Sequence, residues 1–329
     1  MKIRHLLVIF FIAILIFTIA GCGVTYPKGK FKESVIKVCK KEYNLDVKVD
    51  TTGKTIAIYL PLENLIDFTF SITKSASEKI NNVILSVSRV ALSTDADYDF
   101  YCVIAHDVRI PEIQIVIVKS VDDVKRFLLN DISRGEYSKR MIVDIRLSPQ
   151  AQKERAVKEI FDKMKLDKKW QDDVMNDFFR SEPTALTDIG YWNGRFYIKD
   201  ITHAEFLSEE IANRVKIEFR EDKTLSDIFV LKASKCAYSA KASKCTFRLE
   251  ISVENKSFDV AEDQSYSNKI LGAGLGIMAH VLHSYKFDDF DYVEVLDQKH
   301  KTYLKAPKDK LEGFRLKKIS LESLLDESK

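Results

Sequence analysis

His280 and His283 are the residues of this chain whose type and spacing most resemble a metal site. Positions i and i+3 are neighbours on a helix, so both imidazoles would reach one ion. Asp288, Asp289 or Asp291 would supply a third ligand. Histidines on a solvated helix face, the blander reading, need no metal. Trp192 and Arg195 flank Asn193-Gly194, a strong hairpin-turn signal. Indole and guanidinium stacked across that hairpin would give a ligand a cationic platform, or would simply brace the strands.

The carboxylate doublets Asp122-Asp123, Glu209-Glu210 and Asp288-Asp289 would divide acid and base roles only if burial or a neighbour set their pKa values apart. They fall at helix starts and turns, where negative charge has a structural use. Gly272-Ala273-Gly274-Leu275-Gly276 lacks the G-x-G-x-x-G spacing and lies inside an apolar helical pattern rather than after a strand. Its small residues suit close packing of a helix. No nucleophile elbow, phosphate loop or zincin motif occurs. The reading therefore expects no cofactor and leans away from an enzyme.

The first twenty-two residues say where the chain works. Lys2 and Arg4 precede an almost unbroken apolar run from Leu6 to Ile19, and Ala20-Gly21-Cys22 follows. This segment resembles the lipobox signal peptide of bacterial lipoproteins. The resemblance implies cleavage before Cys22, diacylglycerol on its sulfur and acylation of the new N-terminus. It covers this segment alone, and the mature chain shows no familiar family. The apolar run is shorter than the ~20 residues of a spanning helix, and small residues before a cysteine favour cleavage over an uncleaved anchor. Two or more acyl chains hold a protein firmly to a bilayer. The implied location is the cell membrane or outer membrane, facing the periplasm or exterior. Gly23, which is not acidic, favours the outer membrane where there is one.

The chain has 329 residues, 46% hydrophobic and 11% aromatic, enough for real cores and about two domains. Loss of Lys2 and Arg4 takes the formal charge from +3 to +1, and no basic footprint for nucleic acid remains. With Cys22 set aside, Cys39, Cys102, Cys236 and Cys245 form an even set in an exported chain. Bridges Cys39–Cys102 and Cys236–Cys245 would each stay within one half; four thiols packed as small apolar groups are the alternative. Lys232-Ala233-Ser234-Lys235-Cys236 recurs as Lys241-Ala242-Ser243-Lys244-Cys245. A bridged hairpin tip there would hold four lysines out toward acidic headgroups or an acidic partner, where the blander alternative is a solvated loop.

These residues need elements to position them. Residues 22–30 read as a short polar tether. Phe31 to Tyr43 has helical spacing, and residues 47–60 alternate around Thr52-Gly53 as a hairpin. Ser75 to Glu78 reads as a capping box opening a helix. Tyr98–His106 and Ile113–Val118 read as strands and Val121–Ile132 as a helix. The order α-β-β-α-β-β-α then recurs from the Thr202–Glu205 capping box, through strands at 228–231 and 246–253, a helix at 270–285 and strands at 292–296 and 302–304, to a helix from Pro307. Asp97-Tyr98-Asp99-Phe100 matches Asp289-Phe290-Asp291-Tyr292, and Val124 and Phe127 match Leu311 and Phe314.

The expected class is α+β: two related units, 31–135 and 202–329, built on antiparallel hairpins. A helical and hairpin insert, 136–201, would separate them, with helices beyond Ser148 and Asp167. The expected function is a non-catalytic, lipid-anchored binding or assembly module with an envelope protein partner. An envelope hydrolase, metal-dependent or not, and a small-molecule binder using Trp192 are the alternatives.

Overall fold

The computed structural model describes residues 26–67, 71–110, 112–147, 167, 185–192, 194–241, 244–256 and 264–327. The signal segment, the helices expected beyond Ser148 and Asp167, and Asn193 lie outside the described residues. The fold is α+β.

Helix α1 (Phe31–Tyr43) buries Phe31, Val35, Val38 and Cys39. It ends at Asn44, whose φ of 52° is a left-handed conformation that Asn tolerates. Strands β1 (Lys48–Thr52) and β2 (Thr55–Leu62) form the expected hairpin. Helix α2 (Lys74–Leu92) is capped by Thr73, whose hydroxyl accepts from the Ala76 N–H at 3.2 Å. It thus begins ahead of the expected Ser75–Glu78 box. Strands β3 (Phe100–Asp107) and β4 (Ile113–Ser120) follow. The expected single helix to Ile132 stops at Leu128 (α3, Val121–Leu128), and α4 (Arg134–Lys139) starts anew from the Ser133 cap. Strand β5 (Ile142–Leu147), not anticipated, pairs with β4 at the sheet edge.

After the small hairpin β6 (Gly190–Trp192) and β7 (Arg195–Tyr197) comes α5 (His203–Glu221). Here the expected capping box forms: the Glu205 N–H donates to Thr202 Oγ1 at 3.3 Å and the Thr202 N–H to Glu205 Oε2 at 3.0 Å. Then follow α6 (Lys223–Ser226), the long strands β8 (Phe229–Lys241) and β9 (Lys244–Asn255), α7 (Gln264–Ser284), β10 (Tyr292–Asp297), β11 (Thr302–Pro307), α8 (Lys308–Arg315) and α9 (Leu321–Glu327).

The sheets are mixed, where hairpins alone had suggested purely antiparallel ones. The orders are β1-β2-β3-β4-β5 and β11-β10-β9-β8, and in each the two hairpins join through a parallel pair, β2 with β3 and β9 with β10. A helix crosses over between those strands, which returns the chain to the same end of the sheet.

The two sheets share more than strand order. The Asp99 N–H donates to Lys54 O at 3.0 Å, and Asp99 O accepts from the Val121 N–H at 2.9 Å. The Asp291 N–H donates to Cys245 O at 2.8 Å, and Asp291 O accepts from the Lys308 N–H at 3.0 Å. Phe100 and Tyr292 hold the same place opposite Thr55 and Thr246. Asp107 and Asp297 close the turns after β3 and β10 alike, each accepting from backbone N–H groups two and three residues on.

Burial separates the sheets. The first is covered on both faces, so β3 is buried almost throughout. Ile56, Ile58, Tyr101, Val103, Ile115 and Ile117 face α1 and α2. Phe100, Cys102, Ile104, Val116 and Val118 face Phe206, Leu207 and Ile211 of α5. The second sheet buries one face under α5 and α7, and β9 alternates accordingly: Phe247, Leu249, Ile251 and Val253 are buried, while Arg248, Glu250 and Ser252 face outward.

Candidate functional site

Helices α2, α3 and α4 leave a groove of about 1020 Å³ on the first unit. Its walls include Ile84, Leu85, Leu92, Val124, Leu128 and Met141. Leu85 and Leu128 remain 59% and 61% exposed, so the apolar surface continues out to the mouth. Leu92 and Ser93 line one end. There the Tyr26 N–H donates to Ser93 O at 3.1 Å and Tyr26 pairs with Thr94. The expected tether is therefore already bound to the body at Tyr26. Cys22 lies four residues earlier in the sequence.

The groove has a polar floor. Strand β4 alternates, so Ile113, Ile115, Ile117 and Lys119 share one face. Lys119 is 1% exposed yet lines the groove. Its ammonium donates to Tyr137 O at 3.2 Å and lies 2.9 Å from the Tyr137 ring centre. No carboxylate among the described residues is within 4.0 Å of it. Burial lowers its pKa to about 7, against the upward pull of Asp123 and Glu210. The Tyr101 and Tyr137 hydroxyls hydrogen-bond each other, and Ser88 Oγ lies 3.4 Å from Tyr101 OH. Apolar walls with a few placed polar groups are the usual composition of a ligand pocket.

Behind the floor, an ionic network ties the two units together. Asp123 of α3 is fully buried; its Oδ1 accepts from Arg140 at 2.9 Å and its Oδ2 from the Tyr285 hydroxyl of α7 at 2.6 Å. Glu136 of α4 accepts from Arg140 at 2.7 Å and from both terminal nitrogens of Arg214 of α5, at 2.6 and 3.0 Å. Burial alone would raise Glu136, but the hydrogen bonds from Arg214 and Arg140 bring its pKa to about 2. Glu210 accepts from Arg214 Nε at 2.7 Å, while its Oε2 has no partner. Its burial outweighs Arg214 and raises its pKa to about 7. Buried ions persist only when partnered this way. The doublets Asp122-Asp123 and Glu209-Glu210 thus each contribute one residue to this network: Asp123 from the first turn of α3, as expected of a helix start, and Glu210 from the body of α5, where no helix start lies.

The other residues singled out by sequence scatter. His280 faces a groove between α5 and α7 with Arg214 and Gly276. His283 faces a second groove, where its Nδ1 is 3.9 Å from Glu312 Oε2. Among the described residues, no group of three His, Cys, Asp or Glu side chains could hold a metal. The proposed third ligands from Asp288 to Asp291 lie past the helix end, around the β9–β10 junction.

All four described cysteines are free, which corrects both expected bridges. Cys39 packs on the α1–α2 side of the first sheet and Cys102 on the α5 side. Cys245 pairs with Ala240, four residues along β8 from Cys236, or about 13 Å. A disulfide needs Cα atoms within about 7 Å. The lysine-bearing segments are strands of one long hairpin, and Lys232 pairs with Glu254 at 2.7 Å.

Trp192 and Arg195 oppose each other in the hairpin register, and Arg195 is exposed. The residue that docks the hairpin is Tyr191, stacked on Tyr59 at 3.9 Å and accepting from Lys48 Nζ at 2.6 Å. Gly274 meets the sheet: a Cβ there would lie 2.8 Å from Val295. Gly276 has nothing within 4 Å.

Sequence reading missed Lys119 because a polar residue after an apolar strand looks like a solvated strand end. The period-2 stripe that starts at Ile113 was the available signal. No protein-family model, no curated protein and no solved structure matches this chain.

Proposed function

We propose that this chain is a lipid-anchored, non-catalytic binding module of the cell envelope, built from two units of one αββαββα plan. The groove between α2, α3 and α4 is its binding site. The observation that carries this reading is the groove's place: an apolar, open-mouthed cavity ends where Tyr26 joins the body, a few residues after the lipobox cysteine. Acyl chains on Cys22 would hold that end against the bilayer, with Leu85 and Leu128 at the mouth.

The matching hydrogen bonds of Asp99 and Asp291 support the repeated plan. A hydrolase reading finds less support. Among the described residues, Lys119 makes its one hydrogen bond to a backbone carbonyl, and Asp123 is already held by Arg140 and Tyr285. Neither pair forms a nucleophile with its base.

Metabolic labelling with an alkyne-tagged palmitate tests the anchor. The full chain expressed in a bacterium should take the label and begin at Cys22 after processing, and Cys22→Ser should take none. An unlabelled wild-type chain, or equal label on Cys22→Ser, would overturn the anchoring.

A further inference from the structure

Lys119 is a buried cation in an apolar groove, and the fold itself does not call for it. The second unit does without one. Lys119 stands two residues before Val121 and pairs with Tyr101; Ala306 stands two residues before Lys308 and pairs with Val293. Val121 and Lys308 make the same hydrogen bond, to Asp99 and Asp291. The corresponding site in the second unit is therefore the apolar pair Val293 and Ala306, both fully buried. The groove between α7 and α8 is about 470 Å³, less than half as large, and mixes the charged or titratable His283, Lys286, Asp288 and Glu312 with Leu282, Phe287 and Phe290. Among the described residues, the large groove and a buried ammonium occur together in the first unit.

An ammonium has three donors. One goes to Tyr137 O, and no described carboxylate is within 4.0 Å. A buried charge without a counter-ion is costly, so the site favours an anion that brings its own apolar body. The length is right for a chain: Asn81 to Ser93 along α2 spans about 18 Å. Arg89 and Arg134 also line the groove.

We infer that the groove holds a single-chain aliphatic carboxylate, with its tail along α2 and its carboxylate on Lys119 Nζ beside the Ser88 and Tyr137 hydroxyls. This assignment rests on the groove being the ligand site, and is independent of the lipid on Cys22.

The test is native mass spectrometry of the full processed chain released from lipid nanodiscs, titrated with hexadecanoate, hexadecanol, hexadecyltrimethylammonium and a two-tailed phosphatidate. One hexadecanoate should bind per chain, and each methylene removed from it should weaken binding about fourfold. Lys119→Met should weaken hexadecanoate about tenfold or more and leave hexadecanol within about twofold. Leu85→Asp, at an exposed position that the fold does not need, should also weaken hexadecanoate, by repulsion at the mouth.

Equal hexadecanoate binding by wild type and Lys119→Met would overturn the assignment. So would equal binding of hexadecyltrimethylammonium, or preference for a two-tailed phosphatidate. Charge-dependent hexadecanoate binding with an unlabelled Cys22 would sink the anchoring reading alone. An acylated Cys22 without such binding would sink this assignment alone.

Discussion

Lys119 and Glu210 both titrate near pH 7 because burial disfavours their charged forms, from opposite directions. Their effects on stability therefore have opposite signs. Glu210 rises from 4.5 to about 7 on folding, so its contribution is full below pH 4.5 and is lost as pH rises to about 7. Lys119 falls from 10.5 to about 7, so its contribution is full above pH 10.5 and is lost as pH falls to about 7. Together they place a stability minimum near neutrality. The groups facing them are Asp123 from α3, Tyr137 and Glu136 from α4, Tyr101 from β3, Arg140, Arg214 from α5 and Tyr285 from α7. Denaturant unfolding from pH 5 to pH 10 should show this minimum. Glu210→Gln should flatten the fall between pH 5 and 7, and Lys119→Met the rise above it. A Lys119→Met curve parallel to wild type above pH 7 would contradict the burial argument. None of this was legible in the doublet Glu209-Glu210, since only the packing of α5 against the first unit decides which carboxylate goes inside.

At the scale of elements, sequence periodicity located most helices and strands, because the 3.6 and 2.0 repeats of apolar residues are what the two cores bury. Phe31 to Tyr43 is a helix between the expected ends, and the Thr202–Glu205 box forms as read. The misses have physical causes. Strand β5 packs at an edge with Val143 and Ile145 exposed, so its alternation carries little signal. The parallel junctions depend on crossovers, which hairpin turns do not reveal. The segment before α5 is tied down by contacts that sequence cannot show. Asp200 Oδ1 accepts from the Lys54 N–H at 2.8 Å, and the Ile201 N–H donates to Thr55 Oγ1 at 2.8 Å. Gly53 turns this corner at φ 54°, and a Cβ on it would sit 2.0 Å from Asp200 Oδ2. Gly53→Ala should therefore destabilise the protein by roughly 1–3 kcal/mol in thermal or denaturant unfolding, through backbone strain and displacement of Asp200. An unchanged midpoint would show that the turn relaxes freely.

The whole molecule is a stack whose two sheets bury α5 between them, joined across the gap by Arg214, Glu136, Asp123, Arg140 and Tyr285. Removing one partner of such a network is far costlier than its net worth. The first unit, which carries the groove, is thereby held at a fixed angle to the second, whose outward sheet face bears Arg248, Glu250, Tyr292 and Glu294. The N-terminal segment fixes the other end of the geometry, since Tyr26 binds at the rim of the groove. In the proposed arrangement this groove takes an acyl chain at the membrane surface. The most direct test is photo-crosslinking of a diazirine-tagged hexadecanoate to the full chain in bacterial membranes, followed by peptide mapping. Adducts should concentrate on residues 81–92 of α2 and on residues 124–141, and should fall sharply in Lys119→Met. Adducts spread over the outward face of the second sheet, or unchanged in Lys119→Met, would contradict it.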